Sequence, residues 1–134
     1  MHKQSVAIAW RKFKNKYRLV GTKCSNCSSL YYPPVKICSK CRRNSKLEDY
    51  VFKEEGTVFS KTVVRSAAEG FERGTPYVLA ILELEAGVRV CGQVVDCDID
   101  EVKIGAPVYC VFRKMYTGGK EGIIQYGLKF KLRK

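Results

Sequence analysis

The sequence predicts a mainly β protein that begins with one helix, continues through a cysteine-rich segment and ends in a small closed barrel. Three observations lead to this fold class. An apolar stripe of helical period lies near the start, four cysteines cluster between positions 24 and 41, and five runs rich in Val, Ile, Tyr and Phe follow. A chain of 134 residues has room for one substantial core, so a smaller module beside it needs a staple such as a metal.

The helix is predicted over residues 5–17. Apolar side chains recur there at intervals of four, three and four residues, which places them on one helical face: Val6, Trp10, Phe13 and Tyr17. Gly21 is the expected end of the helix. The stripe either packs on the chain's own barrel or docks onto another protein. Because little other core lies nearby, Trp10, Phe13 and Tyr17 are candidate partner-binding residues.

The positive charge is concentrated in the N-terminal third. The formal net charge is +12, and residues 1–47 contain twelve Lys or Arg and no Asp or Glu. From residue 48 onward, thirteen basic and thirteen acidic residues balance. Such a field attracts polyanions, among them nucleic acids, anionic membrane surfaces and phosphate-rich cofactors. Part of it also compensates the negative charge of a metal bound by thiolates.

The clustered cysteines form two Cys-x-x-Cys pairs separated by ten residues. Each pair lets two thiolates bind one ion, and two pairs complete a tetrahedron around zinc. The expected ligands are Cys24, Cys27, Cys38 and Cys41. Since protein sulfur fills all four positions, the metal is expected to be structural rather than catalytic. Iron in a rubredoxin-like centre uses the same ligands and stays the alternative to zinc.

The five β-rich runs predict the strands of a barrel. They cover residues 57–64, 76–84, 88–95, 106–115 and 122–132. Gly, Pro and acidic residues mark the loops between them. Five strands at short spacing, with no helix-period segment between them, indicate a five-stranded OB-fold. We therefore expect three segments: a helical segment 1–21, a zinc ribbon 22–47 and an OB-fold 48–134.

No catalytic constellation is predicted. The single histidine, His2, lies at the N-terminus, and the sequence has no nucleophile elbow, P-loop or dinucleotide fingerprint. Cys91 and Cys110 fall within strands, where buried thiols behave as small apolar side chains, and Cys97 lies in an acidic loop. The lack of a secretory signal and of a long apolar run predicts a cytoplasmic protein with no membrane span, in which the cysteines stay reduced.

Single-stranded nucleic-acid binding is one function that a zinc ribbon, an OB-fold and basic charge would allow. OB-folds that hold single strands stack bases on aromatic side chains of their second and third strands. In this sequence those two strands offer one aromatic residue, Tyr77, and the excess basic charge lies on the helix and ribbon. The pattern therefore favours a different partner, with nucleic acid as the alternative.

Four stretches of the sequence resemble the acyl-CoA-associated family of rubredoxin-like zinc ribbons joined to an OB-fold, long called domain of unknown function thirty-five. They are YRLVGTKCSNCSSLYYPPVKICSKC, GTVFSKTVV, GFERGTPYVLAILELEAGVRVCGQVV and KIGAPVYCVF. Together they extend from Tyr17 to Phe112. One departure is Ser28, where members usually carry glycine after the second cysteine; it tightens the turn but removes no ligand.

The resemblance implies an accessory subunit rather than an enzyme. Family members accompany thiolases and related acyl-CoA enzymes. Short archaeal members resembling this chain bridge acetoacetyl-CoA thiolase and hydroxymethylglutaryl-CoA (HMG-CoA) synthase in the mevalonate route to isoprenoids. The expected role is thus a scaffold in a hetero-oligomer of the two enzymes, which share a CoA passage. The synthase step then consumes the product of the unfavourable thiolase condensation.

A CoA ligand would agree with the charge distribution, because its phosphates carry about four negative charges that Lys and Arg can pair with. Aromatic side chains can cover its adenine. Candidate contacts lie in the apolar lip between the two cysteine pairs and around the loop 67–77: Tyr31, Tyr32, Pro33, Phe71 and Tyr77. The alternative for the lip is that it packs the ribbon against the barrel.

Overall fold

The computed structural model describes residues 5–66, 68, 74–117 and 122–133. Its three N-terminal strands form an antiparallel sheet in the order β2–β1–β3: β1 (Val20–Cys24), β2 (Leu30–Tyr31) and β3 (Leu47–Val51). The β1 strand pairs with both neighbours, so it forms the centre of this ribbon sheet. Cys24, the first cysteine of the first pair, is the last residue of β1. The ribbon sheet therefore carries the cysteine pairs at one end.

Five further strands close into a barrel in the order β4–β5–β6–β8–β7: β4 (Glu55–Val64), β5 (Tyr77–Glu83), β6 (Arg89–Val95), β7 (Pro107–Thr117) and β8 (Ile124–Leu132). All neighbours are antiparallel except β6 and β8, which are parallel and pair at Val94–Phe130 and Val95–Lys131. The mainly β fold with a closed five-stranded barrel is confirmed.

The helix α1 (Val6–Tyr17) covers the range predicted from the apolar stripe. Gly21 does not end it but lies in β1, so that prediction is wrong. A Cβ atom at this position would collide with the backbone carbonyl of Tyr31 and lie 2.6 Å from the ring of Phe52. Glycine is therefore needed where β1 packs closely against its neighbours, not at a helix cap.

Two apolar clusters hold the fold together. The first fills the barrel: Val58, Val78, Ala80, Leu82, Val94, Val102, Val108 and Phe130. The second centres on Leu19, Phe52 and Leu84 and includes half-buried Leu30, Tyr32 and Tyr50 of the ribbon, together with Leu128 of β8. Because the second cluster draws on both sheets, it fixes the ribbon against the barrel.

The helix is attached to both parts. An ion pair joins Lys14 to Asp49 of β3, and Lys16 Nζ donates a hydrogen bond to Gln125 Oε1 of β8 at 3.2 Å. No helix among the described residues is long and apolar enough to cross a membrane. The expected segment boundaries after residues 21 and 47 stay predictions, and β1 and β3 run across those positions.

Candidate metal centre and exposed aromatic surface

The two Cys-x-x-Cys turns have the same backbone geometry. In the first, the Ser28 N–H donates to the Cys24 carbonyl oxygen at 2.7 Å; in the second, the Arg42 N–H donates to the Cys38 carbonyl oxygen at 2.8 Å. Ser28 and Arg42 follow the second cysteine of their turns and have φ values of 58° and 50°. This left-handed conformation explains why glycine suits the first of these positions, since a Cβ atom disfavours it.

The four cysteine sulfurs face one another across these turns. They all lie within 4.8 Å of each other, with 3.9 Å between Cys24 and Cys41 and 3.5 Å between Cys27 and Cys38. A tetrahedral zinc ion with Zn–S bonds of ~2.3 Å holds its sulfurs about 3.8 Å apart. The donor set thus fits the expected metal. Cysteine sulfur would fill every position of the tetrahedron, leaving none for water or substrate.

Hydrogen bonds lower the pKa of one cysteine in each turn. The Tyr31 hydroxyl lies 3.2 Å from Cys38 Sγ, and this contact is the main cause that lowers the pKa of Cys38 to about 6. The pKa of Cys24 is also lowered, chiefly by the backbone N–H of Cys27. Both thiols therefore ionise more readily than an ordinary cysteine, and thiolate is the form that metals bind.

The residues expected to contact CoA have several different environments. Tyr31 points its hydroxyl at the cysteine cluster, whereas Tyr32 is half-buried with its ring edge-on to Phe52, centroids 6.1 Å apart. Tyr32 thereby packs the ribbon against the barrel. Pro33 is exposed, and half-buried Tyr77 begins β5. The fifth candidate, Phe71, lies outside the described residues.

A cavity of about 240 Å³ lies between α1, the ribbon and the side of the barrel where β6 and β8 pair at only two positions. Tyr32 is among the residues that line it, whereas Tyr31, Pro33 and Tyr77 are not. Lys16 and Cys91 also line it. The structure therefore brings one of the described CoA candidates to a cavity and places a lysine beside it.

The cysteines outside the metal cluster differ from each other. The expectation that Cys91 is buried is wrong, because it lies on the outer face of β6 and is exposed. Cys110 of β7 is half-buried, and burial, followed by the charge of Glu54, raises its pKa to about 12. Neither thiol contacts the metal cluster, so neither is a further ligand.

Five aromatic rings form a continuous series of contacts from the helix to the barrel, which we call the aromatic row: Trp10, Phe13, Tyr17, Phe112 and Tyr126. Successive ring centroids lie 5.7, 4.8, 4.9 and 5.5 Å apart. Trp10 is 74 % exposed and Phe112 47 %. The sequence pointed to the three helical members but gave no signal for the two strand members.

The outer barrel face carries a further aromatic residue that the sequence analysis did not single out. Phe59 of β4 is exposed, and the guanidinium carbon of Arg89 lies 3.6 Å above its ring centroid. Glu83 in turn pairs with Arg89 at 3.4 Å. Since a cation already covers this ring and a carboxylate adjoins it, the face is a poor platform for stacking bases.

Comparison with known proteins agrees with this architecture. Two family models match successive parts of the chain: the rubredoxin-like zinc ribbon domain of ChsH2 over residues 11–48 and its C-terminal OB-fold domain over residues 50–113. A chain of the solved Ltp2-ChsH2(DUF35) aldolase superposes with a TM-score of 0.71 at 27 % identity, covering 94 % of this chain and 92 % of that one.

Two sequence relatives are informative. A DUF35 domain-containing scaffold protein of Methanocaldococcus jannaschii is 44 % identical over 126 residues, which is 94 % of this chain and 89 % of that protein. The 3-oxo-4,17-pregnadiene-20-carboxyl-CoA hydratase alpha subunit of Mycobacterium tuberculosis is 37 % identical over 84 residues, which is 63 % of this chain and 26 % of that subunit. On the ribbon, the barrel and these matches together, the chain belongs to the DUF35 family of zinc-ribbon/OB-fold proteins.

Proposed function

We propose that this protein is a non-catalytic scaffold subunit that holds acyl-CoA enzymes together in a hetero-oligomer. The observation that carries the proposal is the 44 % identity to a DUF35 domain-containing scaffold protein over 94 % of the chain. The similarity to a carboxyl-CoA hydratase subunit supports an acyl-CoA setting. The match spans 89 % of the scaffold relative, so the similarity covers most of that relative's length.

The cysteine site supports a role without catalysis. Cys24, Cys27, Cys38 and Cys41 would hold a zinc ion, and zinc bound in this way supplies folding free energy, ~10–16 kcal/mol of apparent binding in small zinc modules. The chain has a single histidine, His2, which lies outside the described residues, and histidine is the commonest base for a cysteine nucleophile. The site therefore stabilises the ribbon, and the scaffold works through its surfaces.

The partners that we propose are acetoacetyl-CoA thiolase and HMG-CoA synthase of the mevalonate pathway, in the cytoplasm. Their pairing has a chemical reason, because thiolase condensation of two acetyl groups is unfavourable and the synthase reaction removes its product. A subunit that keeps the two active sites close shortens the path of the intermediate. The resemblance of the ribbon and barrel segments to scaffold proteins of this kind supports this assignment.

We further propose that the scaffold contributes to the CoA passage between the enzymes. The cavity beside α1 supports this, since it combines an apolar lining with the ammonium group of Lys16 and the ring of Tyr32. Tyr31, Pro33 and Tyr77 stay further candidates, as does Phe71. Exposed lysines and arginines of the ribbon are available for the phosphates: Lys36, Lys40, Arg42, Arg43 and Lys46.

Co-expression of the chain with both enzymes tests the proposal. A single stable assembly containing all three proteins is expected on a sizing column, and the scaffold alone is expected to show neither thiolase nor synthase turnover. Cys24→Ser should disrupt assembly by unfolding the ribbon, whereas Ile104→Ser, which changes an exposed side chain outside the cysteine cluster and the cavity, should not. Three separate peaks for the wild-type proteins, or turnover by the scaffold alone, would contradict the proposal.

Single-stranded nucleic-acid binding is the alternative, and the net charge of +12 on a chain with an OB-fold is the observation that favours it. It makes a separate forecast. Oligonucleotide binding would be tight, and log affinity would fall steeply with log salt concentration as counterions are released. We expect weak binding instead, because Arg89 and Glu83 occupy the barrel face around Phe59.

A further inference from the structure

We propose that the aromatic row, with its basic flank, is the surface that docks onto an acidic face of a partner enzyme subunit. This inference rests on the proposed scaffold function and adds the barrel strands β7 and β8 to the expected helical contact. It also states the chemistry of the partner: an apolar cleft rimmed by Asp and Glu. Four observations support this inference: the exposure of the rings, the contacts between them, the charge beside them and the poor fit of other binding partners.

The first observation is the amount of apolar surface left in water at both ends of the row. On α1, Val6 and Trp10 are 68 % and 74 % exposed. On the strands, Phe112, Ile124 and Tyr126 are 47 %, 44 % and 39 % exposed. Scattered apolar residues are common on protein surfaces, but neighbouring aromatic rings joined by contact are typical of binding hot spots.

The second observation is that the row is already ordered. Tyr17 lies edge-on to Phe112 with centroids 4.9 Å apart, and Phe112 stacks on Tyr126 with an interplanar angle of 8°. The bond from Lys16 to Gln125 holds the same part of the helix to β8. A partner therefore meets rings that already contact one another, and such a preformed surface reduces the entropy cost of association.

The third observation is the charge beside the row. The helix has no acidic residue and carries Arg11, Lys12 and Lys16, besides Lys14, whose charge is already paired with Asp49 of β3. Lys114 of β7 is paired in register with Tyr126. An apolar centre with a charged rim is the usual anatomy of a protein interface, and complementary charge sets its partner and its association rate. The matching surface is therefore acidic.

The same charge argues against the two other occupants. A second copy of this chain would bring two basic rims together, and like charges opposite each other disfavour association. A nucleic acid is best held by rings spaced along a basic groove, whereas the rings of this row contact one another, with Phe13 and Tyr17 stacked at 4.8 Å. An apolar cleft rimmed by acidic residues would contact the rings and pair with the lysines.

The test measures binding of zinc-loaded variants to the reconstituted thiolase and synthase by biolayer interferometry. Row variants are Trp10→Ser, Phe112→Ser and Tyr126→Ser; matched controls are Phe59→Ser and Ile104→Ser, which change comparably exposed apolar residues elsewhere. Circular dichroism and zinc content verify the fold of each. We expect each row variant to weaken binding about tenfold or more and each control to stay within about twofold of wild type.

If the row variants bind the enzymes as tightly as wild type does, the inference is overturned and the scaffold function stays intact. If the wild-type chain binds neither enzyme, the proposed function fails. The docking inference is then tested separately, by placing a photo-crosslinking residue at position 10 and crosslinking in the cells that naturally produce the protein. A crosslink to an acidic protein, lost in Phe112→Ser and absent from a probe at position 59, supports it. No crosslink, or a crosslink to a second copy, overturns it.

Discussion

The hydroxyl oxygen of Tyr31 lies 3.2 Å from the sulfur of Cys38 and 2.9 Å from Ser39 Oγ. Tyr31 is the last residue of β2, so the ribbon sheet reaches the second cysteine turn through this side chain. The backbone N–H of Ser39 also donates to the same hydroxyl at 3.2 Å. A residue between the two cysteine pairs thus positions a metal ligand without being one.

Replacing Tyr31 by Phe removes the hydrogen bond that most lowers the pKa of Cys38. We expect zinc affinity to fall about tenfold, the lower end of what lost outer contacts to metal ligands cost. Because the pKa of Cys38 rises in the variant, its sulfur is protonated sooner as pH falls, and zinc is released at a higher pH. Competition with a chromophoric chelator measures both effects. Tyr109→Phe is the control, and equal affinities for the two variants would contradict this role.

Metal removal should separate the behaviour of the two sheets. Among the residues that the structure describes, the ribbon sheet packs on the barrel through a small apolar cluster, so we expect its folding to depend on the metal, whereas the barrel has its own core. After treatment with a strong chelator, we expect amide protection to be lost in residues 20–51 and retained in β4 to β8. Cys24→Ser should behave like the chelated protein. Uniform loss of protection across both sheets would show that the barrel also needs the metal.

The left-handed conformation of Ser28 makes Ser28→Gly a stabilising substitution. Removing the Cβ atom relieves a cost of about 1 kcal/mol in this region, partly offset by the greater freedom of glycine in the unfolded chain. We expect a net gain of about 0.5 kcal/mol in urea unfolding at fixed zinc concentration. Ser60→Gly, within β4, should instead lose about 0.5–1 kcal/mol. A loss of stability in Ser28→Gly would contradict the turn geometry.

The free thiols should differ in reactivity. Cys91 is exposed, whereas the pKa of half-buried Cys110 is raised to about 12. In zinc-loaded protein at about pH 8, iodoacetamide should modify Cys91 much faster than Cys110, since thiolate is the reactive form. The folded pKa of Cys110 exceeds the ordinary value of 9.0, so its contribution to stability is complete below about pH 9 and declines as pH rises toward 12. Labelling of Cys110 at the rate of Cys91 would contradict its burial.

The sequence predicted the cluster of four cysteines and the barrel because both depend on short-range patterns. Spacing alone joins Cys24 with Cys27 and Cys38 with Cys41, and five runs rich in Val, Ile, Tyr and Phe indicate the five strands that close into the barrel. It also predicted the aromatic stripe of α1. These features need no knowledge of how distant segments meet.

The remaining features depend on contacts between segments far apart in the chain. Phe112 and Tyr126 become neighbours only because β7 and β8 pair in one register, and they meet Tyr17 only because α1 packs beside that pair. Cys91 was expected to be buried, but its face of β6 is open to water. Residue type and local spacing contain no information on the aromatic contacts, whereas Cys91 shares one face of its strand with Arg89 and Gln93, a pattern that indicates the outer face.

The most direct test of the scaffold account is the flux from acetyl-CoA to HMG-CoA in a mixture of purified thiolase and synthase, measured with and without this chain. The account predicts that adding the zinc-loaded chain raises the flux, and that Trp10→Ser restores the value of the two enzymes alone. The chain by itself should form no HMG-CoA. An unchanged flux, or product formed by the chain without either enzyme, would contradict the account.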